Sequence, residues 1–393
     1  MLDLKWLDVI LKKTTLESME KKLTYIFGAG ASAGALPLAG AFADRLEIFQ
    51  TYLNGSIGIE NIIHNSNVQF LSELNSAIEG CRKNTSIDVY AKQLYLRTEN
   101  GLAFDRFKTI LGCFFLFEQH QEGLNFILKA YTNSPINPQD IGKSEIIDSR
   151  YPEFWMKFLT SKKDFLDTNV NILSWNYDLQ LEMSYNENYP NLSIDEIQNK
   201  LNIYPSTKIH KGNSKNQIVK MNGSAGLFTD TSNAEYKNVI FNAHNLNSGL
   251  NSQIVEYLDI YNQQIHSRFK TSLLYFSWEE DLDIDLPEVI ETVPLANKIL
   301  AETEILVIIG YSFPEYNWET DLRIFENVNK LEKVYFQVPD SDFQEYSSKL
   351  TSLNKNIKSE IIKNKPTRVF YFPTECRKSI PLKGETHYAE IWK

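Results

Sequence analysis

Leu23-Thr-Tyr-Ile-Phe27 runs straight into Gly28-Ala-Gly30-Ala-Ser32-Ala-Gly34, and this junction constrains the fold more than any other part of the chain. The first segment is short, rich in aromatic and branched side chains and bounded by glycine, as a buried strand is. From Leu38 onward, Phe42, Leu46, Phe49 and Leu53 share one helical face. Strand, glycine-rich turn and helix in that order open an α/β fold. The stretch from Leu23 to Ala43 is uncharged and long enough on paper to cross a bilayer. Its Ala/Gly content, Pro37 and the amphipathic start before it, with Leu4, Leu7, Ile10 and Leu11 at helical spacing, argue against a membrane span. A signal peptide is not expected either, because no basic start runs directly into an apolar core.

Residues 61–166 read as a helical insertion, with helical periods over Val68–Lys83, Ile87–Leu96, Phe104–Gln119 and Phe154–Leu166 and a loop at Asn133–Pro138. Strand-like runs return at Val170–Ser174, Ile218–Met221, Val239–Phe241, Leu273–Ser277, Ile305–Ile309, Val334–Val338 and Arg368–Phe372. Helical stretches at Pro294–Glu302 and Trp318–Val328 alternate with them. The expected fold class is α/β, with a Rossmann-like, mostly parallel sheet covered by helices on both faces. Residues 1–60 and 167–393 would form that domain, with the helical insertion after its first strand–helix unit. The Asn-rich stretch around Asn186–Asn202 reads as a mobile surface loop.

The formal charge is −10, from 40 Lys+Arg against 50 Asp+Glu, so no basic footprint points to direct nucleic-acid or membrane-surface binding. Cys81, Cys113 and Cys376 are isolated, which leaves neither a disulfide framework nor a four-thiolate zinc site and points to a reducing cytoplasm.

Four polar or glycine-rich segments each follow a strand-like run. The first is Gly28-Ala29-Gly30 with Ser32 and Gly34, whose spacing only approximates the dinucleotide fingerprint. Glycine lets the backbone approach a phosphate, and a helix N-terminus offers N–H donors to it. Tight helix–strand packing without a ligand would use the same residues. The second is Ser174-Trp175-Asn176-Tyr177-Asp178, where Asn and Asp suit the hydroxyls of a ribose or an N-cap. The third is Lys220-Met221-Asn222-Gly223-Ser224, and the fourth is Gly310-Tyr311-Ser312-Phe313. Ligands of open α/β sheets bind at this carboxyl edge.

That order of motifs resembles the sirtuin-like superfamily, in particular its zinc-free branch in bacterial antiphage defence. Ser86-Ile-Asp-Val-Tyr90 in the helical insertion is similar to the same branch. The resemblance implies NAD as substrate and no zinc. It puts Gly28, Ala29, Gly30 and Ser32 on the pyrophosphate, and Asn176 and Asp178 on the nicotinamide ribose. Gly223 and Ser224 belong to a further cofactor-binding loop, and Gly310 and Ser312 lie against the adenosine half. Catalytic roles fall to Asn176, Asp178 and Asn222. The chain departs from the family in two places. Ala35-Leu36-Pro37-Leu38-Ala39-Gly40 lacks the aromatic and arginine of the nicotinamide pocket, and Asn222 stands where the family has its catalytic histidine. Carboxamide cannot take a proton near neutral pH as imidazole can.

His64, His120 and His387 lie far in sequence from the four loops, whereas His210, His244 and His266 share a chain half with Asn222 and are candidates to enter the pocket. Glu279-Glu280-Asp281 with Asp283 and Asp285 reads as an exposed acidic loop, and Trp155, Trp175, Trp278 and Trp318 as packing. The resemblance thus implies an NAD hydrolase, which releases nicotinamide and ADP-ribose. The alternative is a catalytically weak, NAD- or ADP-ribose-binding regulatory subunit. A Rossmann oxidoreductase would need an acidic residue ending a second strand about 20 residues after the glycines; the next convincing strand starts near Val170. The resemblance further implies a homo-oligomer controlled by a separate sensor or HerA-type ATPase, since the chain ends soon after its last motif.

Overall fold

The structure is a computed structural model, and it describes residues 21–374 apart from 58–64, 85, 98–100, 133–144, 160–165, 208–216, 233–238, 283–290, 356 and 358. In chain order, the first elements are β1 (Leu23–Phe27), α1 (Phe42–Tyr52), α2 (Asn65–Lys83), α3 (Ile87–Arg97), α4 (Leu102–Glu118), α5 (Gln121–Thr132) and α6 (Arg150–Phe158). Next come β2 (Val170–Ser174), α7 (Gln180–Asn186), α8 (Ile194–Lys200), β3 (Ile203–Tyr204), β4 (Ile218–Lys220), β5 (Gly223–Asp230), β6 (Val239–Asn242), α9 (Leu250–His266) and β7 (Lys270–Leu274). The last are α10 (Thr292–Glu302), β8 (Ile305–Ile309), α11 (Trp318–Phe325), β9 (Lys333–Gln337), α12 (Phe343–Leu353) and β10 (Glu360–Asn364).

The protein is α/β, built on a seven-stranded sheet in the order β10-β9-β8-β1-β2-β4-β3 with every pairing parallel. A separate three-stranded antiparallel sheet runs β6-β5-β7. Side chains of a strand alternate between faces, so the nearly continuous apolar runs of β1 and β8 require cover on both sides. Tyr25 and Phe27 pack on one face with Phe154 and Trp155 of α6 and Tyr185 of α7. Ile26 and Ile308 pack on the other face with Ala296 of α10 and Ile324 of α11. Helices α1 to α5 share a further core with α9 and the three-stranded sheet, centred on Phe114 and Phe117 of the almost wholly buried α4. Arg45, buried there, makes a bidentate contact with Glu118, at 3.1 and 2.5 Å. Among the described residues, no helix is long and apolar enough to cross a membrane.

Arg368–Phe372, expected as a strand, belongs to no ladder. The Gln337 side chain donates to Val369 O at 2.8 Å and accepts from Tyr371 N at 3.0 Å, while Phe370 is buried. A short apolar run reads the same whether a strand or one amide side chain satisfies its backbone. The Asn-rich stretch expected to be a loop contains α8, which Ser193 and Glu196 close with a capping box.

Candidate functional site

Strand order reverses between β1 and β8, and at the carboxyl ends of the strands there lies a cleft of about 890 Å³, its open mouth included. Gly28, Ala29 and Ser32 line it after β1, Trp175, Asn176, Tyr177 and Asp178 after β2, Asn222 after β4, and Gly310 and Ser312 after β8. Ser86, Ile87 and Asp88 reach it from the helical block. Gly30, Gly223 and Ser224 do not line it. The latter two start β5 rather than a loop, and the Ser224 hydroxyl takes a hydrogen bond from the Lys220 ammonium at 3.2 Å.

The glycines hold two loops together. Gly28 N donates to Ile309 O at 3.0 Å, and Gly30 N to Gly310 O at 3.1 Å. A Cβ on Gly30 would lie 2.7 Å from Gly310 Cα, and one on Gly310 would lie 2.4 Å from the Gly30 main chain. Gly310 also has φ +62°, a left-handed conformation natural to glycine. Backbone is therefore what approaches these glycines, and the Gly30 N–H is already spent. The turn continues as a single 3₁₀ turn at Ala29–Ser32, and α1 starts only at Phe42, so the turn does not open directly into an α-helix.

Ser32 is the centre of the polar network. Asn176 Nδ2 donates to Gly28 O at 3.0 Å and to Ser32 Oγ at 3.2 Å. The Ser32 hydroxyl hydrogen-bonds the Asp178 carboxylate and lies 3.0 Å from the Tyr151 hydroxyl. Either hydroxyl of the Ser32–Tyr151 pair can be the donor. Asn176 spends its amide hydrogens on the protein and keeps its carbonyl oxygen as an acceptor at the cleft. Burial pushes the Asp178 carboxyl up to about 6, against the pull of the Lys220 charge and of hydrogen bonds from Ser32 and the Gln180 N–H.

Asn222 is used differently. Its Nδ2 donates to Trp175 O at 2.8 Å, and its Oδ1 is buried without a partner. Trp175 stacks on Tyr311 with ring centroids 5.2 Å apart and planes 2° from parallel. The Tyr311 hydroxyl is fixed by Asp321, at 2.9 and 2.8 Å, and by Asn317, at 3.1 Å. Burial raises the Asp321 carboxyl well above its ordinary value.

From the helical side, Asp88 accepts from the Tyr177 hydroxyl at 3.1 Å and from Tyr316, and burial pushes its carboxyl up to about 6. Asp88, Tyr151 and Tyr316 were not singled out individually in the sequence. Asp88 lies inside the Ser86–Tyr90 motif; the two tyrosines carry no local signal.

No described histidine lines this cleft. His244 lies 2.7 Å from the Tyr257 hydroxyl and lines a second cavity with His120, and burial lowers its pKa to about 3. His266 ends α9, while His64, His210 and His387 fall outside the described residues. Glu279, expected in an exposed loop, is fully buried and takes a hydrogen bond from Lys108 at 2.9 Å. Asp283 and Asp285 lie outside the described residues. Trp155 and Trp278 are core residues.

Neither the protein-family models nor the curated proteins contain a match to this chain.

Proposed function

We propose that the chain cleaves NAD to nicotinamide and ADP-ribose, as a sirtuin-like effector of bacterial antiphage defence. The observation that carries this reading is the convergence of the loops after β1, β2, β4 and β8 on one cleft, which Asn176 and Asp178, two residues apart in the chain, both line. Breaking the nicotinamide–ribose bond passes through a cation-like ribose, to which water adds. Such a reaction needs a fixed acceptor to orient a hydroxyl or water, and negative charge near the developing cation. Asn176, whose amide hydrogens are held by Gly28 and Ser32, supplies the first, and ionised Asp178 the second. Near neutral pH the Asp178 carboxyl, with its pKa of about 6, is mostly ionised.

Asn176→Ala should cost about 3–4 kcal/mol of transition-state stabilisation, similar to losing one preorganised polar group. The measurement is nicotinamide release by wild type and variant, assembled with any partner the activity needs; equal rates would remove Asn176 from the chemistry.

A second reading is an NAD- or ADP-ribose-binding regulatory subunit. It is favoured by Asn222 and by the lack of a described histidine at the cleft. It expects ligand binding by calorimetry without nicotinamide release. Under either reading, we propose a cytoplasmic homo-oligomer under the control of a separate sensor or HerA-type ATPase.

A further inference from the structure

We propose that Lys220 is a positioning residue of the candidate site, which fixes the main chain at Asp178 and supplies the positive charge that its carboxylate experiences. Lys220 ends β4 in register with Ser174, the last residue of β2, so its backbone is set by the parallel sheet. Its side chain is 1% exposed. The ammonium donates to Asp178 O at 2.5 Å and to Ser224 Oγ at 3.2 Å, and pairs with Glu182 Oε1 at 2.9 Å. An ammonium has three hydrogens, and three partners use them, so none is left for a ligand. Lys220 therefore acts through the loop it holds.

A buried ion pair such as Lys220–Glu182 is weak evidence for stability, because desolvation offsets its attraction. Its position explains it better. The groups that act on the Asp178 carboxyl come from four elements: Lys220 from β4, Glu182 and the Gln180 N–H from α7, Ser32 from the turn after β1, and Tyr151 from α6. Lys220 is the cation of this set. It lowers the carboxyl against burial, whereas Glu182 raises it by a smaller amount. Replacing lysine with a neutral side chain should therefore leave Asp178 protonated to higher pH, even when Glu182 is neutralised too.

This inference concerns the site whose activity is proposed above, but its readout does not depend on that activity. The experiment is a carboxyl-carbon NMR titration of the full chain labelled at aspartate, with Asp178→Asn identifying the resonance. Wild type should titrate near 6. In Lys220→Met and Lys220→Met/Glu182→Gln, the midpoint should rise by about one pH unit or more; the double variant removes both members of the Lys220–Glu182 pair and guards against misfolding of the single one, which would leave Glu182 without its partner. Lys220→Arg, which keeps the charge, should keep the wild-type midpoint. An unchanged midpoint in the folded double variant would overturn the inference. Nicotinamide release from the same chains separates the two readings. A shifted midpoint without NAD cleavage in any chain keeps the positioning role and removes the hydrolase, and cleavage with a fixed midpoint does the reverse.

Discussion

The two walls of the cleft are held in different ways. On the sheet side, glycine main chains of the β1 and β8 loops touch, and the Tyr151–Ser32–Asn176 network pins the polar side chains. On the helical side, Asp88 makes the polar link, through the hydroxyls of Tyr177 and Tyr316. The sheet wall thus has its geometry before any ligand arrives, whereas the helical wall can shift at the cost of side-chain hydrogen bonds. Orientation belongs on the first wall, and accommodation of a ligand on the second.

Substitutions can break this contrast, and the largest effect should come from the sheet wall. Gly310→Ala puts a Cβ into the Gly30 main chain and strains a left-handed residue. We expect it to cost about 3 kcal/mol or more in urea-induced unfolding. A loss under 1 kcal/mol would mean that the two loops are not rigidly joined.

Asp88 sharpens the contrast through pH. Its carboxyl has an ordinary value of 3.8 and stands near 6 in the folded protein because of burial. Between those values the folded state keeps a proton that the unfolded chain has released. The neutral carboxyl therefore favours folding at low pH, and this contribution is lost as pH rises through the window. The stability of wild type relative to Asp88→Asn should fall by on the order of 2–3 kcal/mol between pH 4 and pH 7. A constant difference in chemical denaturation across that range would refute the assignment.

The smallest effect is expected at Tyr316, which is 37% exposed and donates to Asp88. Tyr316→Phe should cost about 1 kcal/mol or less by thermal unfolding. A larger loss would make the helical wall as rigid as its opposite.

The parallel sheet was readable from sequence because β1, β2 and β8 are short apolar runs separated by helical periods. Once those strands lie parallel, their carboxyl ends meet, which is why Asn176, Asp178, Asn222 and Gly310 could be grouped in advance. β5 was hidden by its composition: Gly223-Ser-Ala-Gly226 resembles a turn, yet it pairs with β7, with Gly223 and Gly226 at positive φ. Tyr151 and Asp88 were hidden for another reason, since their partners are remote in sequence and only packing brings them close. For Gly28 and Gly30, sequence signals that something approaches the backbone, without distinguishing a phosphate from another main chain.

The contact of Gly30 with Gly310 also limits how this site can diversify. The collision that any side chain would cause is with backbone atoms, so a substitution in one loop cannot be rescued by a smaller residue in the other, which is already glycine. Variation is thereby confined to positions whose side chains border the cleft without joining the loops, such as Ala29 and Ser312. A lineage of this chain could retune what it accepts at those positions, while the frame beneath them would tolerate almost no change.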